Sequence, residues 1–271
     1  MARPQAGLGS HARTGELEAA TTLLRRLSFC SDGYVRSEYV ARNELILERV
    51  LEEPNARVVD IGCGYGALAT TIANVTGVRV RALDVIRQRV TTVRDRPEAR
   101  GHVDLLVADA ELGLPLKDGI ADVIVATEVL EHLHHPERLL REARRVLRPG
   151  GRLILTTPNS KALPYLFLGL LPHSVQSRLL RRWVQGNLHP ELLGTSSDHP
   201  DAHKREGFSE GDIRGLAGGE GFLVESCFTY RIPAPDKLLS LLPRGFADRL
   251  ARSAARPLPG GLEVFAVLRR G

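Results

Sequence analysis

The chain has little with which to cross-link itself. Its 271 residues include three cysteines, Cys30, Cys63 and Cys227. They are odd in number and far apart, so they make no disulfide framework and no metal-type C-x-x-C pair. That pattern fits a reducing compartment, and a cytoplasmic protein is expected. Long apolar runs are also missing. The longest, Ala162 to Leu171, is too short to span a bilayer, and Met1 to Gly7 contains no apolar signal core. Aromatic residues make up only 5%. The net charge of +5 comes mainly from arginine, with Lys117, Lys161, Lys204 and Lys237 the sole lysines. With charge spread over helix faces and few rings to stack on bases, no nucleic-acid partner is expected. There is no internal repeat, no low-complexity tract and no strong nucleophile motif.

What remains is a chain able to build a core, with 43% apolar residues. Residues 1–15 read as disordered, rich in Gly, Ala, Arg and Pro. Helices are expected over 16–27 and 36–51, the second with Val40, Leu45, Ile46, Val50 and Leu51 at roughly helical spacing. Strands are expected at 57–61, 78–83, 103–107, 121–126 and 151–157, with helical segments between them. The clearest of these helices runs from Pro136 to Leu147. Proline suits its first position, Leu139, Leu140, Ala143, Val146 and Leu147 form one face, and Pro149-Gly150-Gly151 stops it. Such alternation implies parallel βαβ units in an α/β, doubly wound fold covered on both faces. After Asn159 the rhythm breaks, and residues 160–206 read as a helical insertion in a single domain spanning 16–271. Order returns with Ser209 as a helix cap. Strand 222–230, a helix over 236–255 broken at Pro243, and strand 263–268 follow.

The stretch Arg57 to Gly66 organises the rest. Its first half is a buried strand, and its second, Gly62-x-Gly64-x-Gly66, is a tight turn into a helix. Glycine lets the backbone take unusual angles and lets a ligand approach its N–H groups. A helix starting at Ala67 points its free N–H groups and positive dipole end at that ligand. Gly62, Gly64 and Ala67 also satisfy the dinucleotide pattern G-x-G-x-x-G/A. Asp60 argues against NAD, because a carboxylate there repels a pyrophosphate and suits an ammonium or sulfonium. On these residues the chain resembles the class I S-adenosylmethionine-dependent methyltransferases, whose first motif is an acidic residue followed by G-x-G-x-G.

That resemblance implies a Rossmann-like sheet of seven strands, mostly parallel, with an antiparallel last strand. It implies S-adenosylmethionine as cofactor, held by Asp60, Gly62, Cys63, Gly64 and Gly66. Asp84, 24 residues after Asp60, stands where an acid accepts a ribose diol, with Val85 beside it. Asp109 matches the acid that takes the adenine amino group, and Ala110 offers a backbone N–H. Thr127, at the end of the fourth strand, matches a position that contacts the methionine part. Leu147 to Gly151 is a further family landmark, structural in role. Arg42 sits where ubiquinone-pathway O-methyltransferases place an arginine for the cofactor carboxylate, although an exposed helix arginine is the plainer reading.

Methyl transfer needs positioning, exclusion of water and sometimes removal of a proton. Glu131-His132 is the best placed catalytic pair, just past the fourth strand. The string Glu128-x-x-Glu131-His132, with His203, also resembles a metal-binding set of small-RNA 2′-O-methyltransferases. It occurs equally in metal-free members, and no metal is expected. The expected activity is O-methylation of an apolar small molecule, such as a natural product, a quinone or a lipid-linked compound. The apolar residues Leu163 to Leu171, with Val175, Leu179, Trp183 and Val184, form either a substrate lid or a packed subdomain. Arg178, Arg181 and Arg182 on the same segment can touch an anionic membrane surface. The competing classes are a catalytically silent cofactor-binding adaptor and an NAD-dependent oxidoreductase. The sequence leaves the oligomeric state open.

Overall fold

The computed structural model describes residues 10–28, 34–53, 55–163, 204, 207–232, 239 and 241–271. Most of the expected insertion 160–206 therefore lies outside the described residues, as do Trp183, Arg178, Arg181, Arg182, His203 and Cys30.

Two helices, α1 (Ser10–Leu27) and α2 (Tyr34–Val50), precede the alternating core. Then come β1 (Val58–Ile61), α3 (Ala67–Thr76), β2 (Val80–Asp84), α4 (Arg87–Arg94), β3 (Val103–Val107), β4 (Ala121–Thr127), α5 (Pro136–Val146) and β5 (Leu147–Pro158). The chain closes with α6 (Glu210–Gly219), β6 (Phe222–Tyr230), α7 (Arg244–Ala254) and β7 (Glu263–Arg270). The seven strands form one sheet in the order β3-β2-β1-β4-β5-β7-β6. β7 runs antiparallel to both its neighbours, while β1 to β5 pair in parallel.

Boundaries moved where local bonds outweigh pattern. α1 begins at Ser10, so residues 10–15, read as disordered, are helical. β2 starts at Val80 rather than 78, because the Val78 N–H is turned onto Thr76 Oγ1. α7 begins after Pro243, which sits at its N-cap. Ser209 caps α6 as expected: it accepts from the Asp212 N–H, and the Asp212 carboxylate accepts from the Ser209 N–H at 2.8 Å.

Strand residues alternate between two cores. One face carries Val58, Val80, Val123, Val125, Ile154 and Phe265, covered by Leu24 of α1, Ile46 and Leu47 of α2, and Ile72 of α3. The other carries Val59, Ile61, Ile124, Leu155 and Val264 beneath Leu139 and Leu140 of α5 and Ile213 of α6. By the same alternation Asp60, Asp84, Thr127, Thr156 and Glu263 all fall on the α2 side, each near the edge of the sheet where β1, β2, β4 and β5 end. Strand order reverses between β1 and β4, and doubly wound sheets bind ligands in the crevice above such a switch point.

An ionic clamp closes the opposite edge. Asp122 accepts from the Arg57 N–H at 2.7 Å and from its Nε at 2.8 Å, and from Arg148 Nε at 2.5 Å. The Arg57 hydrogen bond holds the Asp122 carboxyl well below the usual range. Depression of an acid stabilises the fold above its unfolded pKa, and that contribution disappears as pH falls below about 4. Both arginines are nearly half exposed, which screens the pair. Asp122→Asn is expected to cost about 1 kcal/mol near neutral pH, and less near pH 2, where the contribution is partly lost, by urea unfolding. An equal cost at both pH values would show that the charge is not what matters.

Candidate active site

The turn after β1 is pinned before any ligand arrives. The Cys63 N–H donates to the Leu83 carbonyl at 2.9 Å and the Gly66 N–H to the Cys63 carbonyl at 2.9 Å. Gly62, Gly64 and Gly66 have φ of 70°, 53° and 71°. Their reasons differ. A Cβ on Gly62 would lie 2.4 Å from Val129 Cγ2, and one on Gly66 2.6 Å from both γ-carbons of Val93. A Cβ on Gly64 meets nothing within 4 Å. Gly62 and Gly66 are thus required by packing, and Gly64 faces open space.

Two carboxylates stand beside that turn. Asp84 Oδ2 accepts from the Gly64 N–H at 2.9 Å and Oδ1 from the Ile86 N–H at 2.8 Å. Each oxygen keeps a further lone pair, so Asp84 can still receive a diol. Asp60 is only 2% exposed. Burial first, and then the charge of Asp84, push its carboxyl up to about 7, opposed by the Ala69 N–H. The same burial, with Asp60 and Asp84 near it, raises the Cys63 thiol well above its ordinary range. Among the described residues, no cation is one of the groups that shift the Asp60 carboxyl.

Thr127 Oγ1, at the end of β4, is buried and has no hydrogen-bond partner among the described residues. Val85 is exposed beyond Asp84. Asp109 Oδ1 accepts from the Glu111 N–H at 2.8 Å, an Asx turn that orients the loop. Ala110 is buried in the α5-side core. Glu111 accepts from the backbone of His134 and His135 at 3.2 and 2.6 Å, tying this loop to the one after β4.

Asp60, Asp84 and Thr127 stand at the ends of the neighbouring parallel strands β1, β2 and β4. A family profile described as a methyltransferase domain matches residues 59–155, the stretch that carries every one of these groups. Residues 59–155 carry a methyltransferase domain of the class I S-adenosylmethionine-dependent kind. Methyltransferase GfsG of Streptomyces halstedii is 37% identical over 115 residues, which is 41% of each chain. The ubiquinone biosynthesis O-methyltransferase of Xanthomonas axonopodis pv. citri (strain 306) is 35% identical over 126 residues, 46% of this chain and 49% of that one. These matches span less than half the length of the curated relatives. A solved S-adenosylmethionine-dependent methyltransferase from Thermotoga maritima shares the fold with a TM-score of 0.56 and 20% identity, covering 96% of this chain and 98% of that one. S-adenosylmethionine is the cofactor of this methyltransferase domain.

The loop after β4 differs most from expectation. Glu131 is 1% exposed, accepts from Thr157 Oγ1 at 3.0 Å, and its carbonyl accepts from the Lys204 N–H at 2.8 Å. Burial, and then Glu128, lift its carboxyl well above the usual range. His132 Nε2 lies 4.0 Å from Glu131 Oε1. Thr157 belongs to the α5-side face of β5, and Glu131, bonded to it, still lies within reach of the charges of Glu128 and Glu263.

On the α2 side a buried charge cluster appears that the sequence did not announce. Arg42, read as an exposed helix arginine, is instead largely buried, 3.7 Å from Glu128 Oε1 and 3.8 Å from Glu263 Oε1. Its guanidinium also lies 5.5 Å from the centre of the Tyr39 ring. Arg231 binds Glu263 at 2.8 Å and Glu38 at 2.5 Å, and the Tyr230 hydroxyl donates to Glu263. A clue was present: Glu263 opens an apolar strand, and a carboxylate buried there needs partners. Three non-glycine residues have positive φ among the described residues, and two of them, Glu128 at 53° and Arg231 at 72°, belong to this cluster. Each such conformation costs about 1 kcal/mol and persists where surroundings over-determine it, as at functional sites. Among the described residues no three His, Cys, Asp or Glu side chains group as metal ligands. No described helix is long and apolar enough to cross a membrane.

Proposed function

We propose that this methyltransferase transfers the methyl group to a hydroxyl of an apolar small molecule. When bound, S-adenosylmethionine supplies an electrophilic methyl on a sulfonium, so the chain itself must hold the acceptor in line, keep water out and take the acceptor's proton. The observation that carries the reading is a carboxylate with raised proton affinity at the exit of β4, next to Thr127. Burial and Glu263 lift the Glu128 carboxyl to about 7, against the pull of Arg42. A general base works best with a pKa near the working pH, and a hydroxyl acceptor is the kind that needs one. His132 offers a second group for the proton, with Glu131 behind it as orienting acid. An apolar acceptor is supported by Leu163 at the start of the insertion, by the apolar residues that follow it in sequence, and by the ubiquinone biosynthesis O-methyltransferases among the relatives. Contact with a membrane surface through the arginines near 178–182 belongs to the same reading.

The test is a screen of host metabolite extracts with isotopically labelled S-adenosylmethionine, followed by mass identification of the product. Label on the oxygen of an apolar metabolite is expected. Label on nitrogen or carbon would remove the O-methylation reading, and no transfer at all would leave a silent cofactor-binding protein.

A further inference from the structure

Resting on the reading that Asp84 receives the ribose diol, we propose that Arg89, laid across the Tyr65 ring, is a positioning residue for that carboxylate. It thereby sets the preference of the domain for a cofactor with an intact diol. A closed ring of contacts supports this. Asp84 Oδ2 accepts from the Gly64 N–H at 2.9 Å, and Arg89 Nη1 lies 3.9 Å from the same oxygen. The Arg89 guanidinium carbon lies 5.6 Å from the centre of the Tyr65 ring, and Tyr65 follows Gly64 in the chain. Helix α4 brings Arg89 to this place. Arg89 and Val93 are four residues apart and share one side of that helix. Val93 is buried, and its γ-carbons would meet a Cβ on Gly66 at 2.6 Å. With Val93 seated on Gly66, the residue one turn earlier falls over Tyr65, the neighbour of Gly66.

The chemistry of a diol calls for such a cation. Two hydroxyls donate two protons, so both oxygens of Asp84 must act as acceptors. Ile86, the N-cap residue of α4, already donates its N–H to Oδ1 at 2.8 Å. The helix thus holds one oxygen and the glycine turn the other, and the guanidinium stands beside the second. A positive charge close to a carboxylate favours its ionised, accepting form. Asp60, on the neighbouring strand β1, has no cation among the described groups that shift it. That division suits the two halves of the cofactor. Asp84, with Arg89 next to it, suits the uncharged ribose, and Asp60, without one, suits the ammonium. The Arg89 side chain is still 24% exposed, and a long side chain reaching into water samples many rotamers. The face of the Tyr65 ring attracts the guanidinium and narrows that choice.

The experiment is calorimetry on the full chain with two probes, S-adenosylhomocysteine and its 2′,3′-dideoxy analogue, which lacks both ribose hydroxyls. The wild type should bind the parent at least about tenfold more tightly, the smallest loss expected when a hydrogen bond to a charged group disappears. Arg89→Met keeps an apolar stem and removes the cation. It should lower affinity for the parent about fivefold, the scale of a partly exposed ion pair, and for the dideoxy analogue by less than about twofold. In an Asp84→Asn background the same change should have no further effect, the non-additivity of residues that act as a unit. Tyr65→Phe keeps the ring and should bind like the wild type, whereas Tyr65→Leu should weaken the parent and spare the analogue. Equal losses on both probes, undiminished affinity of Arg89→Met for the parent, or an undiminished effect of that change beside Asp84→Asn would each overturn the proposal. If the wild type binds both probes equally, the reading of Asp84 as the ribose acceptor falls, and Arg89 with it.

Discussion

Asp60→Asn is expected to give a protein that is more stable when empty and a much poorer binder of S-adenosylmethionine. The carboxyl of Asp60 is lifted from 3.8 to about 7 by burial and by Asp84. An acid whose pKa is raised on folding favours the fold while protonated, and its contribution turns unfavourable as pH climbs from about 4 through 7. Above that window the ionised group costs on the order of 4 kcal/mol. Asparagine keeps the shape and avoids the charge, so the variant should melt roughly 5–10 °C higher near pH 8. Binding moves the other way. The cofactor's ammonium and sulfonium favour the anion of Asp60, so uptake by the wild type releases a proton. Its affinity should fall about tenfold per pH unit below 7 and level off above it. In Asp60→Asn that dependence should flatten, with affinity near pH 8 down by about 10–150-fold, the loss of a charge-assisted contact. Calorimetry across this pH range, with melting curves alongside, reads both arms. A variant no more stable than wild type, or one that binds equally well, would mean that Asp60 is not the cation's partner.

The glycines of the turn should part company on substitution. Gly66→Val drives a side chain into Val93, 2.6 Å away, at a backbone angle that side chains avoid. Overpacking and strain together should destabilise by about 3–5 kcal/mol, enough to leave much of the chain unfolded. Gly64→Val meets nothing within 4 Å. Its cost is backbone strain of about 1–2 kcal/mol, so the variant should fold. The added methyls occupy the space where the cofactor must approach, and affinity should drop by about 100-fold or more, some 3 kcal/mol. Circular dichroism and calorimetry on the two variants separate the cases. Intact binding by a folded Gly64→Val would place the ligand elsewhere.

What the sequence disclosed follows from how locally each feature is encoded. Asp60 and Gly62 to Gly66 lie within seven residues on one strand and one turn, so spacing alone exposed them. Asp84 and Thr127 each end a strand whose β-branched and apolar residues made it visible, and the sheet that unites them follows from βαβ alternation. The Arg42 cluster was hidden for the opposite reason. Its members come from α2, the loop after β4, the end of β6 and the start of β7, and only tertiary packing makes them neighbours. No window of sequence contains them together. For the same reason Glu131 looked like an accessible partner for His132, because burial by Thr157 and the backbone at Lys204 is invisible along the chain. Side-chain period did contain one usable clue: Thr156 and Thr157 point to opposite faces, so they bond Glu128 and Glu131 from different faces of β5.

The insertion of β7 between β5 and β6 has a bearing on how the chain is made. β6 has β7 as its partner in the sheet, and about thirty residues separate the end of one from the start of the other. During synthesis at roughly 5–20 residues per second, β6 and the open side of β5 must wait a few seconds on the ribosome with their hydrogen-bonding edges bare. That interval is when a neighbouring nascent chain could pair with them, and when a chaperone would matter most to yield.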